Sequence, residues 1–221
     1  MCVLPVCDII PGMTQDEKIQ SILDRIQELF AHSVGPRNRR EYMQLHGFHG
    51  IDWSFGLTAD DIINRKIPRA VCGCSGIASV FIKYAGECGL DCVALTTAMQ
   101  KDLDGAAQDR KDGKRERVVN GHQIIAVRDA NGVLRAFDPG KPELKYLDTP
   151  VTVGTIINFN FGACRITAIL SPSEYEKIDT YKKLRDINVN GGAEKKHTFA
   201  GGVKRLLGWV HIKNLFQREN N

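Results

Sequence analysis

The chain has 221 residues, 43% of them hydrophobic and 25% charged, with 30 Lys and Arg against 26 Asp and Glu. That balance is ordinary for a globular protein and sufficient for one substantial core. A formal charge of +4 is too mild to argue nucleic-acid binding, and no apolar run reaches the roughly eighteen residues that a membrane span needs.

The opening MCVLPVCDIIPGM lacks a positively charged n-region, and Pro5 and Asp8 interrupt its apolar character, so no secretory signal is expected. Seven cysteines, at positions 2, 7, 72, 74, 88, 92 and 164, make an odd number in a chain large enough to need no staples. They predict free thiols in a reducing compartment: the cytoplasm, or the destination of a protein delivered without a signal peptide.

The first helix is marked by a capping box, Thr14 with Glu17. Ile19, Ile22, Leu23, Ile26, Leu29 and Phe30 follow on one face, and Pro36 stands beyond its end. Residues 33–57 read as loop. Thr58 caps a short helix from Ala59 to Asn64, which Pro68 stops. A core helix from Ser75 to Gly86 buries Ile77, Val80, Phe81 and Tyr84, with Gly89 at its end, and residues 91–97 (DCVALTT) read as a strand.

Between residues 101 and 117 six basic and five acidic side chains carry no apolar period, which predicts a solvated loop. Residues 123–128 and 133–137 alternate about Asn131-Gly132 and predict a hairpin. A second strand pair is expected near 151–159 and 163–170, with Gly162 between. The tail from Ser171 is helical to Leu184 and then Gly-rich. The simplest organisation is a catalytic domain over 1–170, with core motifs at 57–140, and a C-terminal helical extension over 171–221 packed on the same domain.

A helix that begins beside Cys74 sets its sulfur near backbone N–H groups without helical partners, and these favour the reactive thiolate. Cys72, one step back, suits a tight packing site. A thiolate nucleophile needs a base that can return the proton to the leaving group, and a group to hold that base. His122 opens the first hairpin strand and Asp138 closes the second, so both lie at one end. Their alliance depends on register. A three-residue loop with Gly132 left-handed pairs Asp129 with Val133 and Ile124 with Asp138, leaving His122 on the diagonal of the same face. A two-residue Asn-Gly loop would put them on opposite faces.

The segments LTADDIINRKIPRAVCGCSGIASVFIKYAGECGLDCVALTT and NGHQIIAVRDANGVLRAFDPG together resemble the transglutaminase-like superfamily of thiol enzymes, relatives of the papain fold. Cys74-Ser-Gly-Ile77-Ala78 fits the family's nucleophile motif, whereas Cys72 would put Gly76 where that motif has Ala. Gly89-Leu-Asp-Cys-Val resembles its GIPAR segment, and His122 and Asp138-Pro139 match its His strand and its DP ending. Gln123 stands where the family often has an aromatic.

The resemblance implies an α+β fold, a papain/transglutaminase-like core with the nucleophile at a helix N-terminus packed on an antiparallel sheet that carries His and Asp. It also implies acyl transfer through Cys74, His122 and Asp138 on a peptide or glutamine-type amide of a protein or peptide substrate. Product release to water makes a cysteine protease, amidase or deamidase, and release to an amine makes a transglutaminase. One oxyanion donor would be the Cys74 N–H and a second Trp53.

The other class of function is a catalytically silent scaffold that keeps only the look of a triad. A third is a thiol-redox or metal-binding protein. Cys72, Cys74, Cys88 and Cys92 do not make a zinc site, because the helix between Cys74 and Cys88 separates them by about 20 Å. His46 and His49 lack a third ligand, the acids of 102–112 lack a calcium-loop pattern, and no cofactor is expected. Residues 203–216, apolar with interleaved Lys204, Arg205 and Lys213, have the composition of a terminal helix or a membrane- or partner-facing segment.

Overall fold

The structure, a computed structural model, describes residues 12–33, 41, 44 and 56–190. Trp53, His46, His49 and the segment 203–216 lie outside the described residues. Helix α1 (Gln15–Ala31) starts on the expected capping box, with Thr14 Oγ1 accepting from the Glu17 N–H and the Glu17 carboxylate accepting from the Thr14 N–H at 2.7 Å. Its stripe of Ile19, Ile22, Leu23 and Ile26 is fully buried. Helix α2 (Ala59–Asn64) repeats the device with Thr58 and Asp61.

Helix α3 spans Arg69–Glu87, starting earlier than its apolar period predicts, and Gly73 interrupts it with non-helical φ 62 and ψ −166. Ile77, Val80, Phe81 and Tyr84 are buried as expected. The helix ends at Gly89, whose φ of 65 lets the Leu90 N–H donate to the Ala85 carbonyl at 2.9 Å.

Strand β1 (Cys92–Met99) leads directly into α4 (Gln100–Lys111), the first departure from expectation. Residues 101–117 are not a loop throughout. The helix is polar apart from Leu103 and Ala106, which pack with Ala98 and Val119, and only Ala106 is buried. Local hydrogen bonds add to that small patch: Gln100 to Asp104, Gln108 to Asp112, and Arg117 folded back on Asp109 at 2.9 and 3.0 Å. Gly105 leaves the room that the Arg117 guanidinium occupies.

Strands β2 (Gly121–Arg128) and β3 (Leu134–Phe137) form the hairpin. Gly132 has φ 81, the Asp129 N–H donates to Val133 O at 2.9 Å, and Ile125 pairs with Phe137. This is the three-residue loop, and one further step of the same register sets Ile124 opposite Asp138. Strand β4 (Ile156–Phe159) is shorter than expected, and β5 (Gly162–Leu170) includes the glycine expected between them.

The predicted C-terminal helix is two helices, α5 (Pro172–Tyr175) and α6 (Tyr181–Asn190). Each has its own cap: Ser171 with Glu174 for the first, and the Thr180 hydroxyl accepting from the Lys183 N–H for the second.

All strand pairs are antiparallel, in the order β3-β2-β1-β5-β4, so the α+β class holds with a curled five-stranded sheet. One face, carrying Ala94, Ile125, Val127 and Phe137, packs on α1, α2 and α3. The opposite face closes over Leu95, Ile124, Ala126, Ala136, Ile157 and Ile166. No helix among the described residues is long and apolar enough to cross a membrane.

Candidate active site

Pro68 opens the first turn of α3, accepting from the Val71 and Cys72 N–H groups at 2.9 and 3.2 Å. Gly73 then takes a backbone conformation that L side chains rarely adopt, and the helix begins again. Cys74 therefore stands at the start of the long helical run, among backbone N–H groups with no partner within the helix. Cys72 is 1% exposed, and Gly76 clears space for it: a Cβ there would lie 2.5 Å from the Cys72 Cβ. Burial pushes the Cys72 thiol up to about 12. Cys74 is half-buried at the wall of a cleft of about 570 Å³, which also holds His122, Asp138, Gln123 and Phe161.

The three residues predicted as a triad meet in this cleft. His122 Nε2 and Asp138 Oδ2 are 3.0 Å apart, and the thiol of Cys74 interacts with the same ring, leaving Nδ1 as the nitrogen for the sulfur. Burial works against a charged imidazole, but the hydrogen bond to Asp138 and the interaction with Cys74 outweigh it and raise His122 to about 9. Both neighbours of the ring thus favour its charged form. Burial likewise opposes ionisation of Asp138, and the His122 hydrogen bond more than offsets it, holding the carboxyl below its ordinary value. Its second oxygen accepts from the Gly140 N–H at 2.8 Å.

Each member is braced by its own element. The Thr97 hydroxyl on β1 donates to the His122 carbonyl at 2.9 Å and accepts from the His122 N–H at 3.2 Å. Gly121, just before His122, lets the strands close: a Cβ would stand 1.8 Å from Thr97 O. Arg69 donates to the Gly140 carbonyl, and Gln20 of α1 links the same connection by donating to Pro142 O at 2.7 Å and accepting from the Leu144 N–H at 2.9 Å.

Three contributors escaped the sequence reading. Phe159 and Phe161, stacked on each other at 5.1 Å, set their rings edge-on to His122 at 5.2 and 5.7 Å. The aromatic company absent at Gln123 thus comes from the β4–β5 turn. The alternation in Asn158-Phe159-Asn160-Phe161-Gly162 was visible, but its target was not. Tyr175 of α5, 6% exposed, donates to Ser75 O at 3.2 Å and so ties the C-terminal helices to the first turn after Cys74.

A larger cavity of about 670 Å³ lies on the other side of that turn, lined by Thr58, Ser75, Gln123, Tyr175 and Leu184 among others, but not by Cys74. Among the described residues no group of three or more His, Cys, Asp or Glu side chains is arranged to hold a metal ion. Compared with models of known families, with curated proteins and with solved structures, the chain finds no match in any of the three.

Proposed function

We propose that the protein is a thiol-dependent acyl-transfer enzyme of transglutaminase-like type, acting on peptide or glutamine-type amide bonds of a protein or peptide substrate. The observation that carries this reading is one half-buried ring, His122, bridging a cysteine at a helix start and a carboxylate bound to its far nitrogen. Cys74 Sγ attacks the amide carbonyl and forms a C–S bond. The carbonyl π pair moves to oxygen. Collapse of that intermediate breaks the C–N bond, and His122 gives its proton to the departing nitrogen. Water or an amine then attacks the thioester, with His122 taking the proton, and the acyl group leaves the enzyme. Asp138 keeps the ring oriented and its charged form stable throughout. Arg69 and Lys141 line the cleft and Phe161 is 52% exposed there, offering a substrate both cationic and aromatic contacts.

The test is an acyl-enzyme. A glutamine-containing peptide or an activated ester should leave an acyl adduct on Cys74, located by peptide mass spectrometry. Cys74→Ala should abolish turnover, whereas Cys72→Ala should retain it, because Cys72 packs against Ile62 and Gly76 rather than facing the cleft. A folded protein with no adduct under any of these conditions would leave the triad a structural relic and the chain a binding module.

A further inference from the structure

Among the described residues that line the Cys74 cleft, Asp138 is the one carboxylate, and both its oxygens are engaged, Oδ2 by His122 and Oδ1 by the Gly140 N–H. The remaining charged side chains of the lining are Arg69 and Lys141, both cationic and both exposed. Arg69 donates to the Gln27 side-chain oxygen at 3.3 Å and to the Gly140 carbonyl. Those acceptors are neutral, so they hold the guanidinium in place and leave its charge unbalanced. The first turn of α3 supplies no acid beside it, and the one ion pair among the cleft's described residues is His122 with Asp138.

This cation stands close to the reacting groups. A Cβ on Gly140 would lie 3.1 Å from Arg69 Nη2 and 3.0 Å from Asp138 Oδ1, so glycine lets the guanidinium come up to the connection that carries the triad carboxylate. Ile77, Pro139 and Phe161 complete the lining with apolar surface, against which unpaired charge acts more strongly than in open water.

We propose that the cleft selects an acidic substrate: the segment that presents its amide to Cys74 carries a carboxylate close by, which Arg69 and Lys141 bind. The proposal rests on the acyl-transfer reading and names the substrate class of that same site. The two cations attract an acidic chain as it approaches and then hold its carboxylate by charge-assisted hydrogen bonds, whereas a lysine in that place meets like charge. The carboxylate is that of a Glu or Asp side chain or that of a chain end, and the recognition chemistry is the same for both.

The test is protection of Cys74 from iodoacetamide by three acetylated tetrapeptide amides, Glu-Gln-Gly-Glu, Gln-Gln-Gly-Gln and Lys-Gln-Gly-Lys, with labelling mapped by peptide mass spectrometry. The charges flank the central residues on both sides, so either direction of binding is covered. The Glu peptide should protect at roughly tenfold lower concentration than the neutral one, and the Lys peptide should protect least. Raising NaCl to about 0.5 M should narrow the difference. Lys141→Glu should erase or invert the order, and Arg69→Gln should narrow it. Each variant is compared with its own peptide-free rate, because the Lys141 charge also helps to keep Asp138 ionised. The neutral peptide with a free C-terminal carboxyl separates the two sources: protection equal to that of the Glu peptide assigns the carboxylate to a chain end, and weaker protection assigns it to a side chain. Equal protection by the three amides, protection by none, or an order unchanged in Lys141→Glu would overturn the assignment. The two readings fail separately. An acyl adduct on Cys74 from p-nitrophenyl acetate with no charge order among the peptides would keep acyl transfer and discard the acidic substrate. Preference for the Glu peptide with no adduct from any acyl donor would keep the carboxylate site and sink acyl transfer.

Discussion

The sulfurs of Cys72 and Cys74 stand two positions apart, and the positive φ of Gly73 between them interrupts the helix. One sulfur packs over Gly76 and is raised to about 12, and the other faces His122. The pH dependence belongs to His122. Its ring is raised from 6.5 to about 9, so its ion pair stabilises the fold fully below pH 6.5 and loses that contribution as pH rises through about 9. The proposed acyl transfer would need the same proton for the leaving group, so kcat/KM should fall on an alkaline limb near pH 9. Asp138→Asn removes the leading cause that raises the ring. That limb should then move to lower pH and the maximal rate drop by about 10²-fold or more, as read from a kcat/KM–pH profile. An unmoved limb would mean that another group titrates there. That Cys74, His122 and Asp138 come together was legible in the sequence from their order: a Cys beside a helix start, a His opening one hairpin strand and an Asp closing the next. Phe161 and Tyr175 were not, since nothing near them in the chain marks what they touch.

Among the elements, the hairpin register was readable because a turn of this kind has few conformations. Asn131-Gly132 with a left-handed glycine pairs Asp129 with Val133, and every later pair follows. Helix α4 escaped because its apolar patch is only Leu103 and Ala106, too small to show a period; hydrogen bonds four residues apart and the Arg117–Asp109 pair add to that packing. The C-terminal helix was read as one because Ser171 advertises a start, whereas the second cap, Thr180, lies inside the polar stretch that follows. At this scale Gly121 is the most exacting position. Gly121→Ala would drive its Cβ into the Thr97 carbonyl, where backbone cannot yield cheaply. The variant should lose about 3 kcal/mol or more in urea unfolding and lose the His122-dependent reactivity of Cys74 with it.

For the molecule as a whole, sequence periodicity told strands from helices but not which strand sits in the middle. β1 is central, flanked by β2 and β5, so Thr97 can brace His122 from one side while β5 carries the β4–β5 turn and Phe161 to it from the other. The C-terminal helices are tied to the sheet through a buried polar relay. The Thr167 hydroxyl lies 2.8 Å from Asn188 Oδ1 and 2.9 Å from the Thr96 hydroxyl, joining α6 to the sheet's centre. Thr167→Val preserves shape but strands Asn188 and Thr96. It should cost about 1–3 kcal/mol in denaturant unfolding, and no loss would show that the relay contributes nothing net.

In the proposed function His122 and Asp138 make Cys74 a nucleophile. Its most direct test is the iodoacetamide labelling rate at Cys74, mapped by peptide mass spectrometry in the wild type, His122→Ala and Asp138→Asn. Cys74 should label rapidly in the wild type, far more slowly in His122→Ala and at an intermediate rate in Asp138→Asn. Equal rates in all three proteins would show a cysteine that is merely accessible and not activated by His122.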